Sequence, residues 1–260
     1  FLFASLLLCA TMVSAQEKSD LHKRAEAADP KEHIATARSL YIHAFNDYYN
    51  RGQMKLGVEC ATKAASLYYS RENYYKEAFD LLHRADDAIN SSQKDSQADK
   101  AAMHYMVTKE RLNMYIKLRK SDSAKDQLNI MESQATQSGD ENLKNDLLYT
   151  KAIYYYTFGM NAQGNAVFKE MANKLTASKE YGKVDEVYQT LIANGRKSNN
   201  ANMVAQSYSN YIAWKDSTDA LKHADEISAL KKQIADNEAT IADKDSSLST
   251  RWVFIIGLCI

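Results

Sequence analysis

Structure breakers are nearly missing from this chain: one proline and eight glycines are spread over 260 residues. So few turn-formers exclude a fold built from many short strands, and the abundance of Ala, Lys, Leu, Glu and Gln points to helix throughout. The single proline fits that reading. Pro30 follows Asp29 as a first-turn residue follows its cap, the helical place where a missing N–H costs least. Excess charge is missing too. With 33 basic and 33 acidic side chains the chain is neutral, so no nucleic acid or anionic surface is expected as a partner. Cysteine is scarce: Cys9 and Cys259 lie in apolar end segments, which leaves Cys60 alone, so no internal disulfide is expected.

Catalytic and metal-binding signatures are also wanting. His22, His33, His43, His83, His104 and His223 never stand four apart around a glutamate, and none has metal-ligand spacing to a cysteine. Surface or interhelical positions are their expected roles. There is no glycine-rich phosphate loop, no G-x-S-x-G and no kinase phosphoacceptor box. Cys60 sits mid-helix in GVECATKAA, where packing explains it. The expectation is therefore no catalytic residue, no metal, no cofactor and no enzyme in this segment. The run Tyr154-Tyr155-Tyr156 points three ways round a helix, to fill gaps between hairpins or to offer a binding face.

Long apolar runs occur at the two ends. Residues 1–15, FLFASLLLCATMVSA, close on Val13-Ser14-Ala15 before QEKSD and read as an export signal cut before Gln16; a buried N-terminal helix is the competing reading. At the other end, Trp252 to Ile260 is apolar throughout, with Trp252 placed as an interfacial anchor. Nine residues are fewer than the roughly 20 a span requires, so residues 251–260 read as the start of a transmembrane helix, against a core-packing C-terminus.

Between the ends, periodicity predicts helices near 31–50, 54–70, 74–90, 96–119, 122–137, 141–158, 161–177, 180–195 and 200–216. A ladder with steps of 3, 9, 4 and 3 recurs along them. It reads Ser66, Tyr69, Ala78, Leu82, Ala85; then Leu112, Tyr115, Ala124, Leu128, Met131; then Ala152, Tyr155, Gly164, Phe168, Met171. The first step keeps one helix face, the step of nine crosses a tight turn, and the last two follow one face of the next helix. The small residue after the turn suits a close crossing. Phe45, Tyr48, Gly57, Ala61 and Ala64 fit as well, but in a frame that makes 54–70 a second helix rather than a first. The Ser66 frame is preferred, with 31–50 as a cap.

These positions resemble the tetratricopeptide repeat, whose unit of about 34 residues carries small and aromatic residues in this order. The resemblance covers roughly Arg38 to Ser217, with ladders 46 and 40 residues apart and no closing proline. It implies an all-α solenoid of helical hairpins. It also implies a concave face that takes a peptide or protein, lined by Lys63, Lys109, Asn113, Tyr149 and Tyr156.

After a linker over 16–30 and the repeat domain over 31–217, residues 218–250 change character. Ala220, Ile227, Ile234, Ile241 and Leu248 recur every seven residues with Leu230 between, while His223, Asn237 and Lys244 hold the other core places. That pattern predicts a weak coiled coil and a homodimer through 220–248, or an unpaired spacer helix. The whole order, signal, hairpins, YIAWKDS, stalk and span, resembles the sensory half of Bacteroidetes-type membrane-anchored tetratricopeptide regulators. The resemblance implies an exported sensor domain anchored in the inner membrane and a histidine kinase or helix-turn-helix output module beyond residue 260. A structural scaffold of a cell-envelope complex is the alternative.

Overall fold

The structure, a computed structural model, describes residues 18–28, 33–197 and 199–258, with side chains in the last helix described through Asp219 and at intervals to Thr240. The expected export segment, the Asp29–Pro30 cap and the side chains of 241–260 lie outside the described residues. Every described element is helical: α1 Asp20–Ala27, α2 Ile34–Asn50, α3 Met54–Leu67, a π turn Tyr68–Glu72, α4 Tyr75–Ser91, α5 Gln97–Lys117, α6 Ser121–Ser138, α7 Glu141–Thr157, α8 Asn161–Ala177, α9 Tyr181–Lys197 and α10 Ala201–Leu258. The nine helices expected over 31–216 are present within a few residues at each end. The exception is the last, which continues unbroken: nothing in KDSTDALK stops a helix, and α10 runs 58 residues. Helix α1 was not foreseen. Among the described residues no helix is long and apolar enough to cross a membrane.

Five junctions between the described helices share one recurring turn. At Gly52, Arg119, Gly159, Lys179 and Asn199 the backbone takes positive φ, between 51° and 74°. In each case that residue's N–H donates to the carbonyl three back, and the next N–H donates to the carbonyl five before it. Lys120 to Tyr115 (2.9 Å), Met160 to Tyr155 (2.8 Å) and Asn200 to Gly195 (2.8 Å) are examples. This is the Schellman closure, which satisfies the carbonyls a helix end leaves orphaned. It also explains the step of nine. The accepting residue is Tyr48, Tyr115, Tyr155, Leu175 or Gly195, and four residues past the turn comes Gly57, Ala124, Gly164, Val184 or Val204. The spacing is therefore set by the turn, and it appears between neighbouring helices whichever of them is counted first. The Phe45 ladder of α2 and α3 crosses this turn, whereas in the Ser66 ladder of α3 and α4 the step of nine starts one residue past the accepting Tyr68. Helix α3 packs on α2 and on α4, and its small residues Gly57, Ala61, Ala64 and Ala65 are buried. The α3–α4 turn is one residue longer: Tyr74 N–H donates to Tyr68 O across the π turn at 3.0 Å.

The chain forms two compact units, one through Met160 and one from Asn161. In the first, odd-numbered helices neighbour one another, α3 beside α5 and α5 beside α7, as well as packing on the even helices between them. Its core joins Phe45, Tyr48, Val58, Leu82, Ile89 and Met114, followed by a second cluster around Leu112, Leu128, Met131 and Tyr154. In the second unit α8 and α9 pack on α10. Helices α9 and α10 approach closely at Gly195, where a Cβ would stand 2.8 Å from Val204 Cγ2. Beyond Thr218 the stripe Ile227, Leu230 and Ile234 is more than half exposed in the single chain, at 54%, 58% and 55%.

Candidate partner-binding face

The odd-numbered helices of the first unit are linked side to side by polar bridges. From α1 to α3, Glu26 Oε1 accepts from Lys63 Nζ at 3.0 Å and from Lys18 at 2.7 Å. From the π turn that follows α3 to α5, Tyr69 hydroxyl donates to Glu110 Oε2 at 2.7 Å, joined by Asn113. From α5 to α7, Asp146 accepts from Tyr105 hydroxyl at 2.8 Å and from Lys109 Nζ at 2.6 Å. The partners stand 37 or 41 residues apart, one hairpin's length, and the two offsets differ by one helical turn. A hairpin that repeats brings the same register round again.

The electrostatics follow from partial burial. Hydrogen bonds from Lys18 and then Lys63 hold the Glu26 carboxyl down at about 2. Burial pushes the Glu110 carboxyl up, against the opposing pull of Tyr69, Lys109 and Asn113. The Tyr69 and Tyr105 hydroxyls are raised by burial and by the carboxylates they face, so both remain proton donors. Cys60, free and fully buried, has its thiol pushed up to about 12, which leaves it a packing residue without thiolate chemistry.

The residues expected to line a binding face are distributed unevenly. Lys63 is 44% exposed and also lies over the Tyr41 ring at 5.5 Å. Lys109 is about a third exposed but committed to Asp146. Asn113 is half-buried beside Glu110, and Tyr149 is half-buried one turn past Asp146 on α7. Tyr156 is 1% exposed and presents nothing to a partner, because it shares a buried face of α7 with Ala152, on the side opposite buried Tyr154. Of the tyrosine run, Tyr155 alone reaches partial exposure.

No family model, curated protein or solved structure matches this chain. The carboxylates Glu26, Glu110 and Asp146 organise the face and were not singled out from sequence. Their signal was present only as a shared distance from distant Lys and Tyr residues. Among the described residues no group of three His, Cys, Asp or Glu is placed to hold a metal ion. His22 is wholly buried between the Tyr41 and Tyr48 rings, with Nδ1 3.2 Å from Tyr48 hydroxyl. His104 joins α5 to α4 through Asp86 at 2.7 Å.

Proposed function

We propose that this chain is a non-enzymatic interaction domain of tetratricopeptide type, which takes a peptide or protein partner on the odd-helix face of its first unit. The observation that carries the reading is the recurrence of polar bridges at 37 and 41 residues along α1, α3, α5 and α7. A face held in fixed register by its own bridges presents side chains to a partner at low ordering cost. Tyr149 and Asn113, half-buried beside those bridges, are the anchors in this reading, with Lys63 at the rim.

In the same proposal the domain is exported and held to the inner membrane through its C-terminal helix. Helix α10 pairs with a second copy through the exposed Ile227, Leu230 and Ile234 and relays partner binding to an output module in the cytoplasm. Scaffolding of an envelope complex uses the same face without the relay.

Site-specific photocrosslinking tests this in native cells. A photoreactive phenylalanine analogue at Tyr149 is expected to capture one discrete partner, whereas the same analogue at Ile130, 44% exposed on the even helix α6, captures none. Equal capture at both positions, or none at either, overturns the assignment of the face. Capture at Tyr149 with no stimulus-dependent change in cysteine crosslinking along α10 leaves the scaffold.

A further inference from the structure

A second concave feature lies wholly within the second unit. Helices α8, α9 and α10 enclose a cleft of about 340 Å³ lined by Phe168, Ala172, Tyr188, Ala213 and Trp214 and rimmed by Asn165, Lys169, Asn173, Asn210 and Ser217. The floor is a packed aromatic group: the Phe168 and Tyr188 ring centroids are 4.0 Å apart, and those of Tyr188 and Trp214 5.9 Å. Its polar tips are turned to partners in the protein, Tyr188 hydroxyl to Asn210 O at 3.0 Å and Trp214 Nε1 to Thr176 Oγ1 at 3.0 Å. What the floor offers a visitor is carbon.

The rim is ordered in the same way. Asn210 Nδ2 donates to Asn165 Oδ1 at 2.8 Å, Asn165 Nδ2 to Gln206 at 3.2 Å, and Ser217 hydroxyl to Trp214 O at 2.7 Å. Lys169 and Asn173 stand exposed one turn apart on α8, an ammonium and an amide over the same edge of the floor. Among the described residues no carboxylate lines the cleft. Its volume is at the small end for ligand sites, enough for a single ring with a short chain.

We propose that this cleft binds a small free carboxylic acid with a ring-sized apolar group, the carboxylate paired with Lys169 and Asn173 and the apolar group against Phe168, Tyr188 and Trp214. The positive charge selects against neutral analogues, and the lack of an acidic residue in the lining leaves nothing to repel the anion.

The probe is 3-phenylpropionate, titrated into the ¹⁵N-labelled full chain and followed at the Trp214 indole N–H, which Trp252→Phe distinguishes from the second tryptophan. A saturable shift is expected, and replacing the acid by 3-phenylpropanol, or Lys169 by Met, weakens binding about fivefold, the worth of one screened charge pair. Asn173→Ala gives a smaller loss, and Lys63→Met, in the other unit, gives none. No saturable shift, equal binding of the alcohol, or an unchanged Lys169→Met variant overturns the proposal. Tighter binding of a tripeptide ending in Phe than of the free acid overturns the small-acid class in favour of a chain terminus.

Discussion

Lys109 Nζ and Asp146 Oδ1 lie 37 residues apart in the chain and 2.6 Å apart in space. The same carboxylate accepts from Tyr105, so one side chain of α7 fixes two turns of α5. Each of the pair is about one-third exposed, so solvent screens it, but the tyrosine hydroxyl behind it is buried.

Asp146→Asn is therefore expected to cost about 1 to 2 kcal/mol, because it weakens a charge-assisted bond and leaves a buried hydroxyl with a poorer acceptor. Lys109→Met is expected to cost less, since Asp146 keeps Tyr105. Urea unfolding of both single variants and the double variant checks this. Equal losses for the two single variants contradict the shared role of Asp146.

His22 sets a pH dependence. Tyr48 hydroxyl accepts Ser19 N–H at 2.7 Å, so its own proton points to His22 Nδ1, which suits a neutral ring protonated at Nε2. Burial lowers the folded-state pKa below the ordinary 6.5; Lys63 and Lys18 also push it down, while Glu26 and Glu59 oppose them. The unfolded chain then binds a proton that the folded one refuses. The contribution is present above about pH 6.5 and declines as pH falls below it, by at most about 1.4 kcal/mol per unit. Unfolding midpoints measured between pH 7.5 and 5 are expected to show this fall in the parent chain and a shallower one in His22→Phe. Parallel curves refute it.

Lys179 holds φ of 57° at the close of α8, a conformation that costs a side-chain-bearing residue about 1 to 2 kcal/mol. Gly52 and Gly159 occupy the same turn position without that strain. Lys179→Gly is expected to stabilise the second unit by about 0.5 to 1 kcal/mol, the relief of strain less the extra chain entropy of glycine. Thermal unfolding followed at the Trp214 fluorescence checks it, and a lower midpoint contradicts it.

Helical class, the number and limits of α2 to α9, and the tight turns were determined by sequence alone, since each rests on near neighbours: breaker residues, apolar period and turn geometry act within about ten positions. For the same reason the ladder could not choose its own frame. Tyr115 to Ala124 and Leu175 to Val184 are the same turn, and only packing shows that α3 serves α2 and α4 together. The face itself was decided by tertiary structure. Lys63 and Lys109 are ordinary helical surface residues until Glu26 and Asp146 arrive from a hairpin away, and Asn113 until Tyr69 does. Tyr156 reads like Tyr155 in sequence, yet a 100° step round α7 takes it from half-exposed surface into the core. Which side of a helix meets another helix is a long-range outcome of packing, and the local pattern of so aromatic a stretch carries no preference for either side.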